Sequence, residues 1–458
     1  MKAFPRLGGR PPVRALLLAA LVLLLVGSVV VLLRASGPIG LFDKAAWPAP
    51  APVTLKPEIR SLPADAPVPN TVALRRALAD LVDVPALGDF TGEVSDALTG
   101  QVLWSSNPDK ATVPASTAKL LTTAAALLTL PIDHRVETKI VAGARADEIV
   151  LVGGGDPTLS AAPAGSPSFY PDAARIDDLV AQVKRSGVTP RTLLLDTGLF
   201  TGPAMADGWS GLDIAGGFIA PIGPIMIDGA RLRNEEDSPR SDTPALDVAH
   251  AVAQRLGIDS DQVRAGTAAQ NARQLASVKS APLGERMTQM MAHSDNILAE
   301  SIGRELAIAN GSEASFRGTV SAVTSVLSEA GWNLAGVSIK DASGLSSDDR
   351  VPARVLDQIM VGAAGDGHPK LRPMLDFLPV AGATGTLADR YDDGDRDGAG
   401  WVRAKTGTLA EASALAGYVV TVNSRVLTFA LMSNGTAPGV SRPALDAIAG
   451  ALRTCVCR

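Results

Sequence analysis

"TVPASTAKLLTTAAALLTL", residues 112–130, places Ser116 three positions before Lys119 at the head of an otherwise apolar helical run. At that spacing both side chains project from one face of a helix. Lysine is costly on a buried face unless it has a partner or a chemical task. A serine hydroxyl needs a base to become a nucleophile, and the four histidines of the chain are scattered, with none arranged for that role. A neutral lysine can serve instead. Its unperturbed pKa of ~10.4 leaves it charged at neutral pH, so burial and a neighbouring cation must lower it. A lowering of ~3 units costs about 4 kcal/mol, which the fold has to absorb.

Two more short motifs follow in order. Ser294-Asp295-Asn296 interrupts the helical pattern "LGERMTQMMAHSDNILAESIGRELAIA", and Lys405-Thr406-Gly407 stands in the strand-like "WVRAKTGTL". Each motif alone is cheap, but the ordered trio, each member in its proper local structure, is specific. Lys405 supplies the cation that depresses Lys119. Ser294 can relay a proton to a leaving group, and Asn296 can hold a substrate amide as both donor and acceptor. Gly407, lacking a side chain on an edge-like strand, lets a ligand backbone pair alongside. The hydroxyls of Thr406 and Thr408 suit a peptide carboxylate, and the N–H groups of Ser116 and Thr408 can form an oxyanion hole. The catalytic candidates are Ser116, Lys119 and Ser294; the substrate-binding candidates are Asn296, Lys405, Thr406, Gly407 and Thr408.

Around these motifs the chain has a globular balance: 458 residues, 46% hydrophobic and 19% charged, with a net charge of −5. Nothing in it has the basic excess of a nucleic-acid binder, and the histidines and cysteines show no metal or cofactor spacing. Residues 15–33, "ALLLAALVLLLVGSVVVLL", form an apolar run of roughly 28 Å as a helix, close to the hydrocarbon thickness of a bilayer. Lys2, Arg6, Arg10 and Arg14 precede it and keep residues 1–14 cytoplasmic by the positive-inside rule. An uncleaved membrane anchor is expected, with a cleaved signal peptide as the rival reading. Either exports the body, tethered outside the cytoplasmic membrane or secreted.

Residues 34–70 read as a Pro/Ala-rich linker. Folded sequence is expected over 71–139, with the helix "TVALRRALADLV" and a hairpin around Thr99-Gly100. Residues 140–279 change character and read as an inserted β-rich domain, with pieces such as "EIVLVGGGD" and "RTLLLDTGLF" and a helix near "TPALDVAHAVAQRLG". The "GGG" there is a tight turn rather than a phosphate loop, since the spacing and following helix of such a loop are missing. Over 280–458 come further helices, one ending near "SEAGW", and then three strands in a meander, "WVRAKTGTL", "ASALAGYVVTV" and "RVLTFALMSN". The helix "SRPALDAIAGALRT" closes the chain. Helices flanking an antiparallel sheet make an α/β domain. Cys455 and Cys457, one residue apart, cannot staple a core and read as part of a frayed end.

With its trio and the longer blocks "VPASTAKLLTTAAAL", "LVGGGDPTLS", "HSDNILAE", "DASGLSSDDRV", "LPVAGATGTLADR" and "VRAKTGTLAEASALAGYV", the chain resembles the D-alanyl-D-alanine carboxypeptidase/endopeptidase family. These are class C low-molecular-mass penicillin-binding proteins, peptidase family S13. The resemblance implies a penicillin-binding transpeptidase-like domain with an inserted second domain. It implies a serine DD-peptidase acting on peptidoglycan stem peptides and acylated by β-lactam antibiotics, with no cofactor. On it, Ser116 is the acyl-enzyme nucleophile, Lys119 the base and Ser294 the proton relay. Asn296, Lys405, Thr406 and Thr408 position the substrate, Lys405 and the threonines holding its terminal carboxylate. Relatives often carry a larger insert; about 175 residues separate Lys119 from Ser294 here, room for one inserted domain of ordinary size. A class A β-lactamase shares the trio but needs a deacylating glutamate. Glu329, in "EAGWN", has the spacing, yet its Gly-Trp context marks a helix stop. A catalytically silent wall-binding scaffold is disfavoured because all three motifs are intact.

Overall fold

Asn70 starts the first helix: its side chain accepts the N–H groups of Val72 and Ala73, capping α1 (Thr71–Val82), whose Leu74 and Leu78 are fully buried. The computed structural model describes residues 63, 65–392 and 396–455, so the basic tail, the apolar run and most of the linker lie outside the described residues. Among the described residues no helix is long and apolar enough to cross a membrane.

From α1 the chain makes the expected hairpin, β1 (Asp89–Asp96) and β2 (Val102–Ser106), turning at Gly100. A 3-10 turn, Ala115–Ala118, then leads into α2 (Lys119–Thr129). The chain next builds a second sheet from β3 (Glu137–Ala142), β4 (Glu148–Val152), β5 (Thr192–Asp196), β6 (Val263–Ala265) and β7 (Gln274–Lys279), in the order β7-β3-β4-β5-β6. β7-β3 and β3-β4 pair antiparallel, whereas β4-β5 and β5-β6 pair parallel. Parallel neighbours need long crossovers. Here these carry α3 (Ile176–Arg185) and α4 (Pro244–Leu256), which bury Leu179, Val183, Val248 and Val252 against Ile140, Ile149 and Leu193. The segment is thus β-rich with a layer of helices. Gly153–Gly155 leads into a strand, Asp156–Leu159, as a tight turn does.

The return brings α5 (Leu283–Ala292), α6 (Asn296–Ala309), α7 (Phe316–Glu329) and α8 (Ala353–Ala364). The meander β8 (Val402–Leu409), β9 (Ala412–Val420) and β10 (Val426–Asn434) and the final helix α9 (Pro438–Thr454) complete it. β10 pairs antiparallel with β1, from Asp89 opposite Asn434 to Asp96 opposite Leu427, so the two ends of the domain share one sheet, β8-β9-β10-β1-β2. The two-residue period of a strand sorts its faces. Leu415, Val419, Phe429 and Leu431 pack with Leu74 of α1 and Leu445 and Ile448 of α9. Ala414, Ala416, Ala430 and Met432 face the other way, toward Leu356 and Met360 of α8 and the helices around α2. Small alanines let α8 lie close on that face. Cys455, placed by the sequence on a frayed end, is instead buried against the α1–α9 layer and disulfide-bonded, because α9 is held by its apolar stripe to its last turn.

The ring of Phe429 lies at the centre of that layer and is fully buried. Phe429→Ala is expected to destabilise the protein by about 3–5 kcal/mol through the cavity it leaves, measured as a shift in denaturant midpoint at unchanged slope.

Candidate active site

Ala115 carries a positive φ of 47°, a strained geometry for a residue with a side chain, and it presents Ser116 at the start of the 3-10 turn. Thr117 Oγ1 ties the turn back to the carbonyl of Pro114 at 2.6 Å. One residue past the turn, the Lys119 amine is fully buried and uses all three donors. It bonds Ser116 Oγ at 3.0 Å, Asn296 Oδ1 at 2.6 Å and the carbonyl of Ser343 at 2.8 Å. The first two motifs therefore meet at one nitrogen. Burial lowers the Lys119 pKa to about 8, against the opposing pull of Asp341, Asp295, Glu300 and Asp349. A neutral amine at this place reverses the 3.0 Å bond: Ser116 Oγ–H donates to Nζ, the geometry for removing its proton.

Lys405, also fully buried, donates to the carbonyl of Thr406 at 2.9 Å. Its pKa lies well below that of a free lysine, through burial first and the charge of Lys119 second. Of the two causes the sequence reading named, burial is the larger at Lys119, and the repulsion between the two amines, which is mutual, also holds Lys405 down. β8 is the open edge of its sheet and presses on the Ser116 turn. A Cβ on Gly407 would stand 2.6 Å from the carbonyl oxygen of Pro114, so only glycine fits. The N–H of Ala404 donates away from β9, to Pro379 O at 3.1 Å. By the strand period the N–H groups of Thr406 and Thr408 point the same way, out of the open edge. The Thr406 hydroxyl donates to Thr386 Oγ1 at 2.7 Å, and the exposed Thr408 hydroxyl accepts from Arg442 at 2.8 Å.

The sequence profile of the D-Ala-D-Ala carboxypeptidase 3 (S13) family matches residues 74–240 and 229–455. A carboxypeptidase of Mycobacterium tuberculosis is 48% identical over 419 residues, covering 90% of this chain and 91% of the relative. The chain belongs to the S13 family. Carboxypeptidase DacB of Mycolicibacterium smegmatis is 46% identical over 425 residues, again 90% of this chain and 91% of the relative. The crystal structure of penicillin binding protein 4 from Haemophilus influenzae shares the fold at a TM-score of 0.69 and 21% identity, covering 84% of this chain and 98% of that one. This S13 chain is a serine DD-peptidase of the penicillin-binding class.

Residues outside the trio surround it, among them Asp341, Ser343 and Gly344 of the block "DASGLSSDDRV". Asp341 accepts the N–H groups of Ser343, Gly344 and Ser346 at 3.0, 2.6 and 2.8 Å and the Trp209 indole at 2.7 Å. It thereby shapes the loop that offers Ser343 O to Lys119. In that loop a Cβ on Gly344 would fall 1.9 Å from the carbonyl of Ala115, so the loop closes on the strained turn as well. Ser294, between α5 and α6, is left-handed at φ 58°. Its neighbour Asp295 caps α6 through Leu298 N at 3.0 Å and holds Tyr170 Oη at 2.6 Å and Arg231 Nη2 at 3.3 Å. Burial alone would raise the Asp295 pKa, but Arg231 and Arg240 outweigh it and hold the group at about 2. The sequence reading has Asn296 holding a substrate amide as both donor and acceptor. Asn296 already bridges Lys119 and, through Nδ2 at 3.0 Å, the carbonyl of Phe218, leaving one N–H and one lone pair to offer. Hydrogen bonds thus join Ser116, Lys119 and Asn296 directly, while Ser294 and β8 reach the site through backbone neighbours.

Glu329 is exposed at the last residue of α7, and His293 bonds Glu236 at 3.2 Å on the surface. Among the described residues no group of three or more His, Cys, Asp or Glu side chains is placed to hold a metal ion.

With Lys119 as the base, which acts only when neutral, penicillin acylation is expected to slow as pH falls below about 8 and level off above it. The second-order acylation rate constant, followed from about pH 6 to about pH 9.5, reads this directly. A flat profile would remove Lys119 as the base.

Proposed function

We propose that Ser116 attacks the carbonyl carbon of the penultimate D-alanine of a stem peptide ending in D-Ala-D-Ala while Lys119 accepts its proton. The observation that carries this reading is the 3.0 Å bond between Ser116 Oγ and a fully buried Lys119 amine. The oxyanion sits between the N–H groups of Ser116 and Thr408, donors fixed before the charge develops. Ser294 passes a proton to the departing D-alanine nitrogen, the amide bond breaks, and an ester on Ser116 remains for water to hydrolyse. Lys405, Thr406 and Thr408 hold the terminal carboxylate, and Arg442, already bonded to Thr408, adds a guanidinium to that end. The missing side chain at Gly407 lets this strand lie against the Ser116 turn, where a Cβ would stand 2.6 Å from Pro114 O. The same attack opens a β-lactam ring, whose leaving nitrogen stays tethered to the acyl group.

Release of that penicilloyl ester needs a second base to activate water, and Glu329, the residue a β-lactamase reading required, is exposed at a helix end. The adduct should therefore last minutes or longer, a deacylation barrier of roughly 20 kcal/mol or more. A fluorescent penicillin is expected to label the full chain and leave Ser116→Ala unlabelled, and the wild type should release free D-alanine from a pentapeptide. Penicillin turnover at many per second with no D-alanine released would overturn the peptidase reading. Assaying cross-linked muropeptides beside the pentapeptide measures the endopeptidase share.

We further read residues 15–33 as an anchor that leaves the enzyme outside the cytoplasmic membrane, where its peptidoglycan substrate lies. The support is the unbroken apolar run behind four basic residues. Protease added to intact cells should digest the body and spare a tag placed ahead of Lys2. A mature N-terminus mapped just after the run would replace the anchor with a cleaved signal.

A further inference from the structure

Arg304, on α6, differs from the other buried arginines. Arg286 is fully used: Nε donates to Ala281 O at 3.1 Å and its two terminal nitrogens pair with Glu305. Arg304 is as deeply buried, 1% exposed, but both of its hydrogen bonds leave from Nη1, to Glu300 O at 3.1 Å and Glu300 Oε2 at 3.3 Å. Nε has no partner among the described residues. No hydrogen bond leaves Nη2 either, so the Nε–Nη2 edge of the guanidinium, the side that receives a carboxylate in two parallel bonds, has no protein partner among the described residues. An unpaired buried donor is costly, and native structures rarely leave one without a purpose.

The guanidinium is held in place from its faces, 4.2 Å from the ring centroid of Phe316 and 5.3 Å from that of Phe200. It lines a cavity of about 320 Å³. That volume is within the range of small-molecule sites, ~300–1,000 Å³. Most of the remaining wall is apolar, from Phe200, Pro221, Ile222, Pro244 and Leu246. Glu300 offsets the Arg304 charge only in part: burial and the Asp341 charge raise it to about 7, so at neutral pH a fraction is protonated.

We propose that this cavity is a second binding site, separate from the Ser116 cleft, for a small carboxylate with an apolar body. The ligand carboxylate takes the unpaired Nε–Nη2 edge of Arg304, and its alkyl part takes the proline- and leucine-lined wall. A free amino acid such as the D-alanine product and the C-terminal residue of a stem peptide both carry this chemistry. The site connects to the catalytic centre by a short path. Arg304 bonds Glu300, Glu300 Oε1 accepts Ala342 N at 2.9 Å, and the next carbonyl, Ser343 O, holds the Lys119 amine at 2.8 Å.

The experiment titrates the full chain, with the Ser116 cleft blocked by penicillin, against N-acetyl-D-alanine by calorimetry. One equivalent should bind, and N-acetyl-D-alanine amide, which lacks the charge, should bind roughly tenfold or more weakly. Leu246→Trp, and from the neighbouring position Ala245→Leu, fill the cavity and should abolish binding while penicillin labels both variants at the wild-type rate. No binding to the blocked wild type, equal binding of acid and amide, or undiminished binding to both labelled variants would each overturn the proposal. Free D-alanine is titrated in parallel: its binding assigns the reaction product, and binding of the acetylated compound alone assigns a peptide terminus. Failure of penicillin to label the wild type would count against Ser116, not this cavity, which the filled variants test on unblocked protein.

Discussion

One buried amine organises this enzyme. Lys119 has no exposed surface, and its pKa falls from an ordinary 10.5 to about 8. The unfolded chain therefore binds the extra proton between those two pH values, so stability rises with pH across that window. Below it the folded state carries the whole cost, on the order of 3 kcal/mol. Against a typical margin of about 5–15 kcal/mol this is a large term. It is bearable because Ser116, Asn296 and Ser343 satisfy all three donors and the two apolar layers flanking the sheet are continuous. Near neutral pH the amine lies within reach of its neutral form, and that is the state a base requires.

The surrounding backbone is held where free chains seldom go. Ala115 and Ser294 are both left-handed, a conformation that costs roughly 1–3 kcal/mol for such residues and persists only when neighbours over-determine it. The neighbours are visible. Gly344 and Gly407 come at the Ala115 turn from two directions, each without room for a side chain, and Asp341 fixes the first of these approaches with four hydrogen bonds. Relaxing the turn would move the Ser116 hydroxyl off the Lys119 amine, so strain and proton transfer depend on the same contacts.

Much of this was legible in the sequence because it is periodic or local. The helix over 71–82, the hairpin at Gly100, the helix break at Ser294 and the meander all carry their own turn and face signals. The trio named Ser116, Lys119 and Lys405 for a chemical reason, the need of a serine for a base. What stayed hidden depends on backbone atoms and distant partners. Ser343 reaches Lys119 through a carbonyl, which every residue has, and Tyr170 meets Asp295 across 125 positions. Of the two causes expected for the Lys119 shift, burial and a neighbouring cation, burial dominates, and its depth is a property of the packed fold. The mixed topology of the 137–279 sheet was obscured by strands of three to six residues, too short for periodicity to separate parallel from antiparallel pairing.

These hidden contacts also show why the intervening segment belongs to the catalytic apparatus. Asp295 is a buried carboxylate, and an uncompensated buried charge costs about 3–5 kcal/mol. Apart from the N–H of Leu298, the groups that stabilise it, Tyr170, Arg231 and Arg240, come from residues between the first and second motifs. The same segment supplies Phe218 O to the Asn296 amide. Without them the turn bearing Ser294 would have to expel or protonate Asp295, and either change would shift α6 at the residue that bonds Lys119. The segment therefore sets the position of Asn296, and through it the position of the lysine amine. A domain that began as an interruption between two motifs is, in physical terms, the counter-charge that lets the second motif face the first.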